Sequence, residues 1–303
     1  MLSSGDQKKT MKRKSLLLIA FLPLILSYSN TGSLYKVKET GRVKFYADPA
    51  TNSDDPEIRM AYGLNIVPPW PDGGSIFVNL PEHLEYMPGT KGIARHHDKR
   101  KNVWQINADS SEASYEVESI TEPGVYFSMK AKATEQDASF EMTITNRSEK
   151  ILNSIRPMFC YQYNLLKGFP AKFSDNFAHT FIVINGQPVY VAGLTVKNPQ
   201  AVARMAQVGS CKDEHNWWAE EMGGFIEQRM DAAYTILTAA QDDRKVVLHW
   251  FPGKNLLTNS AIPCMHADPC VGDLVPGESR TVQGELIFTR VALNQVIKEF
   301  KIK

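Results

Sequence analysis

The chain is short of several things. Its 303 residues include only four cysteines. No two of them form a Cys-x-x-Cys, so neither a thioredoxin-type redox motif nor a zinc ribbon is supported. Charge of one sign is also missing: 34 basic and 33 acidic residues leave a formal charge of +1. That balance excludes a polybasic nucleic-acid binder, because phosphate recognition needs clustered Lys and Arg. No apolar run reaches the ~20 residues of a membrane-spanning helix. HExxH, GxSxG, Walker A, a strand-linked GxGxxG and an EF-hand loop are all absent, which weakens zincin, α/β-hydrolase, NTPase and dinucleotide-binding readings. What is present is 43% AVILMFWYC against 22% charged residues. That composition allows a sizeable core and argues against disorder.

The first thirty residues have a distinct layout. Lys12, Arg13 and Lys14 precede an eleven-residue apolar run over residues 16–26, and Ser27-Tyr28-Ser29 follows. A positive segment, a short apolar run and small residues before a cut are the parts of a secretory signal peptide. Residues 1–29 are therefore expected to be a signal peptide, and the mature protein to be secreted or periplasmic with no membrane span. Residues 1–29 hold five bases and one acid, so their removal leaves a net charge of −3. Export makes disulfides possible among Cys160, Cys211, Cys264 and Cys270. Cys264 and Cys270 are close in sequence, each preceded by proline, and could be brought together by bent loops.

Beyond residue 33 the pattern is one of short alternating runs. In residues 139–145, Phe140, Met142 and Ile144 face one way and Glu141, Thr143 and Thr145 the other. Similar runs occupy 103–107, 115–120 and 125–129. Period-two segments of this kind are half-buried strands of antiparallel sheets. Turn signals separate them: Glu122-Pro123-Gly124, Asn146-Arg147-Ser148 and Asn185-Gly186. Pro188 suggests that the Asn185-Gly186 hairpin has a loop wider than two residues. Residues 232–238 and 246–250 also read as strands. Residues 291–301 read as a terminal amphipathic helix, and the Ala-rich 199–208, with Pro199 at its start, as a second helix. The expected fold class is all-β: one large antiparallel β-sandwich over residues 33–303 with a short C-terminal helix. The other parse splits it near Lys150 into two smaller sandwiches.

Two segments are rich in chemistry-bearing residues. In Cys264-Met265-His266-Ala267-Asp268, His266 and Asp268 are two apart. On an extended chain they share a face, where Asp268 can orient an imidazole base or both can ligate a metal. A tight loop with Asp268 bonded to backbone N–H groups is the plainer alternative. The second segment runs from Asp213 through His215, Trp217, Trp218, Glu220 and Glu221. Trp217 or Trp218 offers an aromatic face for a pyranose ring, and a desolvated Glu220 or Glu221 a general acid; one Trp in the core and the other on an edge is the bland version. His97, in Arg95-His96-His97-Asp98, is a further ligand-binding candidate or an exposed loop residue. His249 reads as a satisfied strand residue. Val67-Pro68-Pro69-Trp70-Pro71 is a rigid aromatic loop, either a ligand lip or a turn.

The stretch SFEMTITNRSEKILNSIRPMFCY (residues 139–161) resembles the strand–turn–strand of galactose-mutarotase-like carbohydrate sandwiches. The tail CMHADPCVGDLVPGESRTVQGELIF is similar to the closing strands of secreted bacterial sandwich proteins. The resemblance implies a sugar-facing sandwich. Mutarotases carry a catalytic histidine close after this turn; here Pro157-Met158-Phe159-Cys160 stands in that region and offers no base, so mutarotase activity is not implied.

Together these readings predict a carbohydrate-binding protein that also processes its ligand if His266, Asp268, Glu220 and Glu221 meet. The rivals are a non-catalytic envelope or surface module, and a metal-dependent enzyme drawing on His96, His97, His215 and His266 with an acidic ligand. No cofactor is expected beyond that divalent metal. Common placement of these residues in one pocket would decide for chemistry.

Overall fold

In the computed structural model the described residues are 39, 41–47, 61–87, 94–96, 101–170, 175–208 and 224–301, with backbone alone for 87, 94–96, 300 and 301. The chain divides by contacts into Met1–Asn30 and Thr31–Lys303, and every described residue lies in the second unit. In chain order the strands are β1 (Lys44–Ala47), β2 (Gly63–Val67), β3 (Ile76–Met87), β4 (Ala94–His96), β5 (Gln105–Ile106) and β6 (Glu112–Glu118). Next come β7 (Val125–Ala133), β8 (Asp137–Asn146), β9 (Leu152–Gln162), β10 (Thr180–Ile184), β11 (Gln187–Tyr190) and β12 (Ala203–Gln207). The last are β13 (Tyr234–Thr238), β14 (Lys245–Phe251), β15 (Gly253–Asn259), β16 (Cys264–Pro269), β17 (Gly272–Leu274) and β18 (Ser279–Thr289). Helix α1 (Asn176–His179) precedes β10, and α2 (Leu293–Lys301) ends the described chain.

Among the described residues these strands form two nine-stranded sheets. The first runs β1-β2-β3-β9-β16-β15-β12, with β4 beside β3 and β17 beside β9. The second runs β11-β10-β13-β14-β18-β8-β7-β6-β5. All ladders between named strands are antiparallel, and alternation works as the sequence predicts: Phe140, Met142 and Ile144 are buried while Ser139 is exposed.

The sheets face each other across an aromatic core. Trp250 on β14 lies 4.3 Å from Phe159 of β9 and 5.9 Å from Phe140 of β8, centroid to centroid. Its indole N–H donates to Tyr161 Oη at 3.1 Å, which satisfies a polar atom that burial would otherwise penalise. Gly284, the cross-strand partner of Trp250, is required there: a Cβ would stand 2.4 Å from the indole. On the far side of the second sheet, α2 sets Val296 and Ile297 on a separate apolar cluster with Phe181, Ile236, Val247 and Ile287. The predicted all-β sandwich with a C-terminal amphipathic helix is therefore the observed fold.

Two local expectations are corrected. Residues 203–207 are a strand, not part of a helix: Ala203 pairs with Asn259 and Gln207 with Asn255. Ala, Arg and Met are good helix formers, but intrinsic propensity is a small energy per residue, and a full ladder to β15 outweighs it. The Asn185-Gly186 turn has two residues, not more. Ile184 pairs directly with Gln187, and both turn residues take positive φ, 51° and 72°. Pro188 is accommodated because β11 is an edge strand.

Candidate functional site

The first sheet differs from an ordinary sandwich layer in what its outer face carries. Along β9, Ile155, Phe159 and Tyr161 point into the core, which turns Arg156, Met158 and Cys160 outward. Along β16, Met265 and Ala267 point inward, which turns Cys264, His266 and Asp268 outward. On β3, Leu84 and Tyr86 point inward and His83 and Glu85 outward. A register shift between Asn79 and His83 places Asn79 opposite Cys160, His83 opposite Met158 and Glu85 opposite Arg156. The outward side chains are not at the surface: His83, Glu85, Arg156, His266 and Asp268 are all buried.

This polar layer has two centres. In the first, Glu85 accepts from His83 Nε2 at 3.1 Å through Oε1 and from the Arg156 guanidinium through Oε2. Burial alone would raise the Glu85 carboxyl; the His83 hydrogen bond and the Arg156 charge outweigh it and hold the group below the ordinary glutamate value.

The second centre joins β9, β16 and β15. Asp268 Oδ1 accepts the Phe159 N–H at 3.1 Å, and Oδ2 accepts Asn255 Nδ2 at 2.6 Å. The β9–β16 ladder pairs only Cys264 and Met265 with Gln162 and Tyr161, so the Asp268 carboxylate takes the amide that lies beyond it. Burial pushes the Asp268 carboxyl up. His266 Nε2 lies 3.6 Å from Cys264 Sγ, and Cys160 Sγ lies within 4.8 Å of both side chains. The neighbouring Cys264 thiol and burial push the Cys160 thiol well up. Burial opposes charge on His266, whereas a Cys160 thiolate, Asp268 and Glu82 favour it and push the imidazole up to about 9.

The expected shared face of His266 and Asp268 is thus present, on a strand and not in a tight loop. Cys160 and Cys264 are free thiols, whereas Cys270 is disulfide-bonded, so the pairing of Cys264 with Cys270 does not form. Glu220, Glu221, Trp217, Trp218, His215 and His97 lie outside the described residues. His249 is satisfied within its sheet, 2.9 Å from Glu285. Asn146 is fully buried and donates to the carbonyls of Lys150 and Leu274, so it holds its turn. Sequence reasoning missed His83, Glu85 and Arg156. The available signal was charge inside β3, where Glu85 alternates with the core residues Leu84 and Tyr86.

A second feature is open to solvent. A groove of about 910 Å³ runs along β1, lined by Arg42, Lys44, Tyr46, the 67–71 loop, Thr134 and Glu135. Its floor is set by close backbone approach: Gly41 N–H donates to the Pro69 carbonyl at 3.1 Å, and a Cβ at Gly41 would stand 2.6 Å from that oxygen. Val43 N–H donates to the Thr134 carbonyl, tying the β7–β8 turn to the same wall. Trp70 anchors the loop from within, stacked 5.7 Å from Phe169 under the Arg244 guanidinium; Pro68 and Pro69 are buried beside it, and Pro71 is the loop's exposed proline. Glu39 ties the loop down by accepting from Trp70 Nε1 and Arg290 Nε. Tyr46, 44% exposed, presents its ring beside Lys44 and Arg42.

No family model matches the chain, and no curated protein matches it. Solved structures of similar fold include a galactose mutarotase-like protein from Clostridium acetobutylicum: 10% identity, TM-score 0.43, covering 77% of this chain and 94% of that one. Another, from Lactobacillus casei, has 10% identity and a TM-score of 0.39, with 75% and 97% covered. A polysaccharide lyase gives 12% identity and a TM-score of 0.40 over 83% of this chain; the match spans 33% of the lyase. These likenesses concern fold alone. Among the described residues no helix is long and apolar enough to cross a membrane.

Proposed function

We propose that this is an exported carbohydrate-binding protein whose ligand lies in the groove along β1. The observation that carries this reading is the groove's make-up: an exposed tyrosine ring on a strand, with two cations, two carboxylates and a hydroxyl around it and three prolines in its lining, of which Pro71 is exposed. A pyranose presents C–H faces to a flat ring and hydroxyls to polar neighbours, so it needs both kinds of wall. Proline-stiffened walls lower the ordering cost of binding. Export is supported by the basic, apolar and small-residue succession of residues 12–29 and by a disulfide at Cys270, which suits an oxidising compartment.

Affinity electrophoresis through gels holding neutral or acidic polysaccharides tests this reading. The wild-type protein is expected to be retarded by at least one of them. Tyr46→Ala is expected to cost about 1 kcal/mol, roughly a fivefold loss of affinity. Free migration in every gel would sink the reading. It would favour the second one, a surface module without a ligand, to which the self-contained bonding of Asp268 already lends support.

A further inference from the structure

We propose that Cys160, Cys264 and His266 form a binding site for one divalent cation of the zinc class. The proposal does not rest on the groove or its ligand.

Sγ of Cys160, Sγ of Cys264 and a ring nitrogen of His266 all lie within 4.8 Å of one another, and all three residues are buried. A tetrahedral zinc ion with bonds of ~2.3 Å to sulfur and ~2.0 Å to nitrogen needs ligand separations of roughly 3.4–3.8 Å. The Cys264–His266 edge, at 3.6 Å, already meets that value. The other two edges need at most about an ångström of side-chain rotation.

Three further observations favour a cation over packing alone. First, the strand geometry disfavours a disulfide between these thiols. Cys264 pairs with Gln162 and Met265 with Tyr161, so Cys160 and Cys264 are diagonal neighbours. Diagonal positions lie ~7–8 Å apart, past the usual ~4.4–6.8 Å reach of a disulfide. The two thiols therefore stay reduced in a chain that forms a disulfide at Cys270. Second, Gln162 Nε2 donates to Cys160 Sγ at 3.8 Å, the kind of N–H contact that supports a ligating thiolate. Third, the charges close. Two thiolates, a neutral imidazole and a dication sum to zero, which a site this deeply buried requires; a monovalent ion would leave a buried negative charge. Loading is M²⁺ + 2 RSH + imidazole → M(SR)₂(imidazole) + 2 H⁺. Nothing is oxidised, and the two thiol protons go to solvent. Three protein ligands leave one tetrahedral position open.

The test is anaerobic titration of the purified full chain with Co²⁺, followed by the thiolate-to-cobalt absorption band and by proton release in weak buffer. The expected result is one Co²⁺ per chain, two protons released per ion, and displacement by Zn²⁺. The band should be lost in Cys160→Ser and Cys264→Ser and weakened more than about tenfold in His266→Asn. If these variants do not fold, X-ray absorption on the zinc-loaded wild-type protein decides, with two sulfur scatterers expected around the metal. Failure to take up Co²⁺, a band that survives in folded Cys160→Ser, or a zinc shell of nitrogen and oxygen alone would overturn the proposal.

Discussion

The two sheets enclose one core and treat their other faces in opposite ways. On the second sheet, the outer side of β6, β7, β8 and β18 is ordinary wet surface. Lys130 pairs with Glu141 and Lys132 with Glu112, each at 3.8 Å with both partners largely in water, and Thr143 meets Thr281 at 2.8 Å. On the first sheet, the outer side of β3, β9 and β16 has no such access. Glu85, Arg156 and Asp268 have given up water and depend on a few specific neighbours. A charge of the same kind is decoration on one sheet and a dependency on the other, because only a solvated group can exchange a lost partner for water.

The sharpest way to break this contrast is to remove one charge from each face. Arg156→Met strands the buried Glu85 carboxylate and is expected to destabilise the fold by about 3–5 kcal/mol in urea unfolding. Lys130→Ala, in an exposed pair, is expected to cost less than about 0.5 kcal/mol. Similar costs for the two would end the comparison. Next in size is Asp268→Asn. The amide keeps one acceptor, while the Phe159 and Asn255 donors need two, so a loss of about 1–3 kcal/mol is expected from the same measurement. Full wild-type stability would mean that Asp268 does not hold the sheets' ladder.

The smallest effect lies in pH. Glu85 is held below its ordinary value, so the stability it contributes is present above about pH 4.3 and is lost as pH falls through the lower folded-state value. Asp268 acts oppositely: raised by burial, its protonation favours the folded state as acid is added. In an Asp268→Asn background, the stability gap between Glu85 and Glu85→Gln should therefore narrow with acid below about pH 4.3. A gap constant from pH 7 to pH 3 would show that Glu85 titrates alike in both states.

Much of the fold was legible because its information is local. Phe140, Met142 and Ile144 announce a strand by period alone, and Val296 and Ile297 a helix face. Residues 199–208 misled because composition spoke for a helix, while the deciding contacts, Met205 with Leu257 and Ala206 with Leu256, come from some fifty residues away. The same limit governs the site. His266 and Asp268 could be placed together because two-residue spacing on a strand is a local rule. That Cys160 joins His266, or that Arg156 meets Glu85, depends on which strands lie side by side and on the shift after Asn79, and no window of sequence contains either. Polar residues inside an otherwise apolar strand were the one visible hint. Glu85 carried it, amid a run whose neighbours on both sides face the core.

The margin of the second sheet carries one more implication. Tight hairpins close on a pair that shares its hydrogen bonds, so the following pair, Val183 and Pro188, turns its amide positions away from the partner strand. At Pro188 that outward position holds a ring carbon in place of a hydrogen. A foreign backbone sliding alongside would find a rung missing from the ladder, and the protein is thereby guarded on that flank against growing into a fibre with its own kind.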